Sequence, residues 1–149
     1  MSDTLFYEDL EVGRVLVSPA HVVDEAELVQ FARTWDPLPA HIDKAAGERD
    51  FGSLTAPGLY MLALKQRLIH QMARHEVIAS FGYDEVRFLN PVRPGQTVRV
   101  HEEVISKRES GSKPDRGIVT LRFSLKNEQG EVALTHLDTV LVRRRDRAF

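Results

Sequence analysis

The sequence predicts one α+β domain in which an antiparallel sheet wraps around a long central helix. Three observations predict it. The run that follows Pro57, Gly58-Leu59-Tyr60-Met61-Leu62-Ala63-Leu64 and then Leu68, Ile69 and Met72, is apolar on nearly every side at first and amphipathic later, the pattern of a helix enclosed by other structure. The second half switches to period-two alternation, with Val98, Val100 and Val104, and then Val119, Leu121, Phe123 and Leu125, separated by polar residues, as in strands with one buried face. Finally, 149 residues at 42% apolar content suffice for one sizeable core and leave no room for a second. The domain is therefore expected to span 1–149, with its core at about 10–142.

Taken in order, the first element is an amphipathic helix. Asp24 is placed to cap its free amides and Glu27 to reach back, ahead of Leu28, Phe31, Ala32 and Trp35. It ends near Trp35 or Asp36, because Pro37 and Pro39 lack amide hydrogens and push their predecessors out of helical geometry. A stiff loop is expected from Asp36. A short helical turn is predicted from Asp43 to Glu48, weakened at its end by Gly47, with Phe51-Gly52 starting another connection. After the central helix come the alternating strands. Arg108 to Gly117 reads as an exposed loop, Asn127-Glu128-Gln129-Gly130 as a hairpin turn, and Ala133 to Val142 as a last strand. A two-layer α+β sandwich fits the same pattern.

Composition excludes several classes. Twenty basic and 22 acidic residues give a formal charge of -2, so no overall excess draws the chain to nucleic acid or to an anionic membrane. The absence of cysteine removes disulfides, thiol nucleophiles and cysteine-based zinc sites, and fits a reducing compartment; cytoplasm is the expected location. The start Met1-Ser2-Asp3 does not read as a signal peptide, and the longest apolar run, Leu59 to Leu64, is far short of the roughly twenty residues a membrane span needs. The six histidines are scattered without ligand spacing, and His101-Glu102-Glu103-Val104-Ile105 lacks the second histidine of a zinc-protease motif, so no metal is expected.

The chemistry-bearing candidates are Asp36 and His41, five residues apart in Asp36-Pro37-Leu38-Pro39-Ala40-His41. An imidazole can take or give a proton near neutral pH and a carboxylate can orient a water, so together they can activate one. Fully extended, the segment would hold them roughly 16 to 18 Å apart, so they share a water only if the chain curls back. The structural alternative is that Asp36 caps a turn and His41 is an ordinary packed histidine. Thr55-Ala56-Pro57-Gly58 opens the buried helix, where an amide at Gly58 can stabilise developing negative charge while the missing side chain lets an acyl group approach. Its plainer role is helix initiation by Pro57.

These residues resemble the MaoC-like dehydratases, or (R)-specific enoyl-CoA hydratases, of the hot-dog fold, whose motif runs from a helix end through Asp-x-Asn-Pro-x-His. Phe31-Ala32-Arg33, Asp36, Pro39 and His41 keep that order and spacing, Phe51-Gly52 matches a recurring element, and Ala56-Pro57-Gly58 aligns with the family's Ala-x-Gly. Downstream, Val86-Arg87-Phe88-Leu89-Asn90-Pro91-Val92-Arg93-Pro94-Gly95-Gln96-Thr97 is similar to the strand and turns that follow the central helix in such domains. Two positions depart: Leu38 stands where the family usually has Asn, and Gln66 where its best-known hydratases carry Ser.

The resemblance implies a hot-dog domain and a lyase that adds water reversibly across a trans-2-enoyl-CoA double bond, giving the (R)-3-hydroxyacyl thioester. Asp36 and His41 would be catalytic and the Gly58 amide the oxyanion donor, with Trp35, Leu38, Pro57, Leu59 and Leu62 along the acyl group. It implies no cofactor, a CoA or carrier-protein thioester as substrate, and a homodimer. Two alternatives stay open: a hot-dog thioesterase, whose carboxylate would direct water at the thioester carbonyl, and a non-catalytic acyl-thioester-binding subunit. The basic tail Arg143-Arg144-Arg145 with Arg147 reads as a solvated end or as a contact for the phosphates of a CoA or carrier arm.

Overall fold

The computed structural model describes residues 3–145. A single 3-10 turn, Tyr7–Asp9, leads into β1 (Val15–Val17) and β2 (His21–Val22). Four helices follow, α1 (Glu25–Trp35), α2 (Pro39–Ile42), α3 (Lys44–Phe51) and α4 (Gly58–Ile69), and then four long strands, β3 (Val77–Phe88), β4 (Thr97–Glu109), β5 (Arg116–Asn127) and β6 (Val132–Arg143). The predicted antiparallel sheet around a central helix is what forms.

Helix α1 begins as its sequence predicts: the Asp24 carboxylate accepts from the Glu27 amide at 3.1 Å. Glu27 does not reach back to complete a capping box. Its carboxylate instead accepts the Tyr60 hydroxyl at 3.1 Å, which ties the first turn of α1 to α4. Burial, and then the Glu27 charge, raise the Tyr60 phenol above its ordinary pKa. Phe31 meets the Tyr60 ring edge-on, with centroids 5.5 Å apart.

The expected stiff loop after Asp36 is largely helical. Asp36 still closes α1 with its amide on the Ala32 carbonyl, but Pro39 stands in the first turn of α2, where its missing amide hydrogen costs nothing and its fixed φ suits a helix. The prolines thus end one helix and start the next. Helix α3 is longer than predicted. Asp43 caps it and left-handed Gly52 closes it, while Gly47 lies inside it. The reason is steric: a Cβ at Gly47 would sit 2.7 Å from the Ser53 carbonyl oxygen and 2.8 Å from the Leu54 backbone.

The sheet runs β1-β4-β5-β6-β3, with β2 also paired to β4. Every pairing between named strands is antiparallel, and the 127–130 turn joins β5 to β6 as predicted, with Gly130 at φ 79. The alternation of β4, β5 and β6 puts Val98, Val100, Leu121, Phe123, Leu134 and Val142 on one buried face. Tyr60, Met61, Leu64 and Leu68 of α4 join the same core. Strand β3 is an edge of the sheet. Only its end, from Val86, was legible in the sequence, because register shifts, Gly82 at φ 126 and Glu85 at φ 54 break its alternation.

Replacing Gly47 by alanine should force α3 away from the 53–54 backbone and destabilise the domain by about 1–3 kcal/mol. Urea denaturation, read as a lower midpoint at unchanged slope, checks this.

Candidate active site

The curl that brings Asp36 to His41 is built by α2. The Leu38 amide bonds the Asp36 carbonyl and the His41 amide bonds the Leu38 carbonyl, each at 2.9 Å, so the chain turns tightly between the two residues. His41 Nε2 lies 3.8 Å from Asp36 Oδ2, with the imidazole only 13% exposed and the carboxylate 33% exposed. His41 Nδ1 is 2.6 Å from the Thr55 carbonyl oxygen. A carbonyl only accepts, so Nδ1 carries the hydrogen, and in the neutral ring Nε2 presents its lone pair toward Asp36. The gap of 3.8 Å exceeds a direct hydrogen bond and suits one water held by both groups.

Thr55 connects this pair to the start of α4. Its amide also donates to the Ala40 carbonyl at 3.2 Å, and the Ala56 amide bonds the Val92 carbonyl at 2.8 Å, so the segment before Pro57 is held on two sides. No side chain caps the first turn of α4, whereas Asp24 and Asp43 cap α1 and α3. The Gly58 amide therefore stands at the positive end of the helix dipole without a side-chain cap. Its Cα faces the Phe88 ring, which a Cβ would approach to 2.6 Å.

The residues expected along the acyl group are dispersed. Trp35, Leu38 and Leu59 are more than half exposed, at 67%, 57% and 53%. Leu62 packs partly buried against the core, and Pro57 caps α4. A cavity of about 410 Å³ lies instead at the far end of α4, lined among others by Gln66, Ile69, His75, Tyr83, Glu102 and Asp138. The basic tail is engaged: Arg144 binds Glu8 at 2.9 Å and Glu109 at 2.8 Å, and Arg145 pairs with Asp9, while Arg147 lies outside the described residues. Among the described residues no group of three or more His, Cys, Asp or Glu is placed to hold a metal, and no helix is long and apolar enough to cross a membrane.

The family model described as "MaoC like domain" matches residues 10–125. The chain belongs to the MaoC-like domain family. Its fold is the hot-dog fold, as in its structural neighbours. The MaoC-like dehydratase from Rhodospirillum rubrum superposes with a TM-score of 0.88 at 34% identity, covering 96% of this chain and 99% of that one. The (R)-hydratase from A. caviae involved in PHA biosynthesis gives 0.71 at 26% identity, covering 89% and 97%. A mesaconyl-CoA hydratase from Cereibacter sphaeroides is 42% identical over 71 residues, 48% of this chain and 20% of that protein. The chain spans 29% and 20% of the first two curated relatives it matches.

This MaoC-like domain also carries a polar cluster that its sequence did not disclose. Lys65, on the buried side of α4, is 1% exposed and has no carboxylate within salt-bridge distance among the described residues. Its ammonium donates to Tyr83 Oη at 3.0 Å and Gln66 Oε1 at 3.3 Å, and lies 5.3 Å from the Phe123 ring centroid. Burial pushes its pKa down to about 8, and the Asp138 charge works against the fall. The only sequence signal for this cluster was a lysine within an apolar helical run, which alternation in β6 later sets opposite Asp138.

A lowered folded-state pKa means that between pH 8 and about 10.5 the unfolded chain binds more protons at Lys65, so stability rises with pH across that window. Lys65→Met should be more stable than wild type at pH 7 by up to about 3 kcal/mol, with the difference vanishing toward pH 10. Urea midpoints for both proteins from pH 7 to 9.5 check the sign.

Proposed function

We propose that this domain hydrates trans-2-enoyl thioesters reversibly, giving (R)-3-hydroxyacyl thioesters, and needs no cofactor beyond the CoA or carrier arm of its substrate. One observation carries the proposal: His41 is anchored through Nδ1 to the Thr55 carbonyl, leaving Nε2 facing Asp36 across 3.8 Å, beside the start of α4. The family's hydratase relatives support the same reaction class.

In the forward direction one water donates a hydrogen to His41 Nε2 and the other to Asp36 Oδ2. Its oxygen attacks the β-carbon while His41 takes the proton, and the thioester oxygen gains negative charge as the enolate forms. The Gly58 amide donates to that oxygen, where the helix start favours negative charge. The imidazolium then returns the proton to the α-carbon, which restores His41 and balances the addition of H and OH. Of the residues assigned to the acyl group, Pro57 is buried and Leu62 half-buried, while the exposure of Trp35, Leu38 and Leu59 in a single chain suits closure by a second subunit.

A homodimer is the unit we assign. The edge strand β3 leaves one row of backbone groups unpaired and exposes Phe81, Tyr83 and Phe88, and a two-fold partner would pair that edge and cover those rings.

Incubation with crotonyl-CoA should remove the conjugated enoyl absorbance while leaving the thiol bound; release of free CoA instead would establish a thioesterase. Asp36→Asn and His41→Ala should each lower kcat/KM by roughly 10²–10⁴-fold. If wild type and both variants are equally inactive across a panel of enoyl thioesters, the domain is a binding subunit. Light scattering should give twice the chain mass for wild type, and Phe81→Glu should shift the population toward monomer.

A further inference from the structure

The face of the sheet turned away from α4 carries charges that the chemistry above does not use. Val98, Val100, Leu121, Phe123, Leu125 and Leu134 point into the core that α4 shares, so the residues between them stand on the opposite, outer face. Register decides which of those meet. Arg99 lies directly opposite Lys126; one step along the same face, His101 lies opposite Ser124, which in turn lies opposite Thr135 of β6. Opposed residues of an antiparallel pair have Cβ atoms about 4.5–5.5 Å apart, so these side chains from three adjoining strands share one patch.

Like charges set directly opposite one another cost stability unless something negative joins them. Nothing in the chain does. Among the described residues Arg99, His101 and Lys126 have no carboxylate within salt-bridge distance. Arg99 donates from Nη1 to the Ser18 carbonyl at 3.3 Å, which fixes the guanidinium beside the residue after β1 and leaves its other donors outward. The acids nearest in register, Glu103 and Asp84, belong to the next row, which Arg122 and Leu137 complete, and Glu131 of the following turn takes the Asn127 side chain at 3.1 Å. Arg87, opposite Thr135 on β3, gives its guanidinium to the Val86 carbonyl at 3.0 Å. Burial, and then the Lys126 and Arg99 charges, lower the His101 pKa, so the imidazole feels both cations. Cations on a sheet commonly guard a free edge, but β4 and β5 are interior strands. Beside them the Ser124 and Thr135 hydroxyls lie 3.4 Å apart; one hydrogen serves that contact and the other is free to donate outward.

We propose that this outer patch is a second ligand site, which takes the phosphate group of a small molecule. The phosphate oxygens accept from the Arg99 guanidinium, the Lys126 ammonium and the free hydroxyl hydrogen, and from the His101 imidazole once it is protonated, while their charge offsets the opposed cations. The sheet stands between this patch and α4, so the phosphate is carried by a molecule other than a thioester held at Gly58. The site does not depend on the hydratase reading. Free phosphate and a phosphate ester offer the same chemistry, and the arms of the test separate them.

The test is titration of the wild-type protein at low ionic strength with inorganic phosphate and with ADP, followed by calorimetry and by the His101 ring-proton NMR signals, with heparin as a polyanion control. Saturable binding should move those signals and raise the His101 titration midpoint, because a bound anion favours the imidazolium. ADP binding more tightly than phosphate assigns the site to an ester, and equal affinity assigns it to free phosphate. Lys126→Gln and Arg99→Gln, both surface changes, should each weaken binding about fivefold or more. No saturable binding of either ligand, binding that leaves the His101 signals unmoved, undiminished affinity in both variants, or binding of heparin alone would overturn the proposal.

Discussion

Residue 55 holds the candidate site together through its backbone. The Thr55 amide donates to the Ala40 carbonyl at 3.2 Å and its carbonyl receives His41 Nδ1 at 2.6 Å, so one peptide segment fastens both α2 and the imidazole it carries. The tautomer of His41 is thereby set by main chain rather than by a second acidic side chain, and the ring's free nitrogen points to Asp36. The same segment continues into Pro57 and α4. Any displacement of residues 53–57 would move the imidazole and the Gly58 amide together. Gly47 matters for this reason, because the 53–54 backbone rests where its Cβ would be.

Helix α4 does two unlike jobs along 12 residues. Its first turn has no side-chain cap, which leaves partial positive charge directed at whatever occupies the site. Its buried side adds Tyr60, Met61, Leu64 and Leu68 to the core, and among them Lys65, whose charge is met only by dipoles, aromatic faces and the more distant Asp138. Burying an ammonium this way lowers stability relative to an apolar residue of the same shape. The cost falls behind the wall of the cavity, where Tyr83 and Gln66 receive the ammonium.

The domain is used in chains of different size. It corresponds to nearly the whole of the Rhodospirillum rubrum protein and to a fraction of the two longer relatives it matches. The candidate site lies within one stretch, from Asp36 to Gly58, supported by the local helices and the Val92 carbonyl against which they rest. The position of Leu38 fits this locality. Leu38 precedes α2 with an exposed side chain, and the turn between Asp36 and His41 is made by its backbone amide and carbonyl.

The sequence by itself determined the class of fold, the amphipathic α1 with its Asp24 cap, the apolar α4 and the β5–β6 turn, and singled out Asp36, His41 and Gly58 as candidates, because each is written in local periodicity or in a short motif. What it could not determine was set by contacts between distant segments. The curl of 36–41 depends on helical hydrogen bonds that a Pro-rich stretch does not advertise, the bulged β3 on pairing with β6, and the capping role expected of Glu27 gave way to a bond with Tyr60, 33 residues on. Only the tertiary structure brought Tyr83, Asp138 and the His75–Glu102 pair to one cavity and set the Lys65 ammonium behind its wall. These residues lie on α4, β3, β4, β6 and the turn after α4, and no spacing along the chain encodes a meeting that the packing of helix on sheet alone creates.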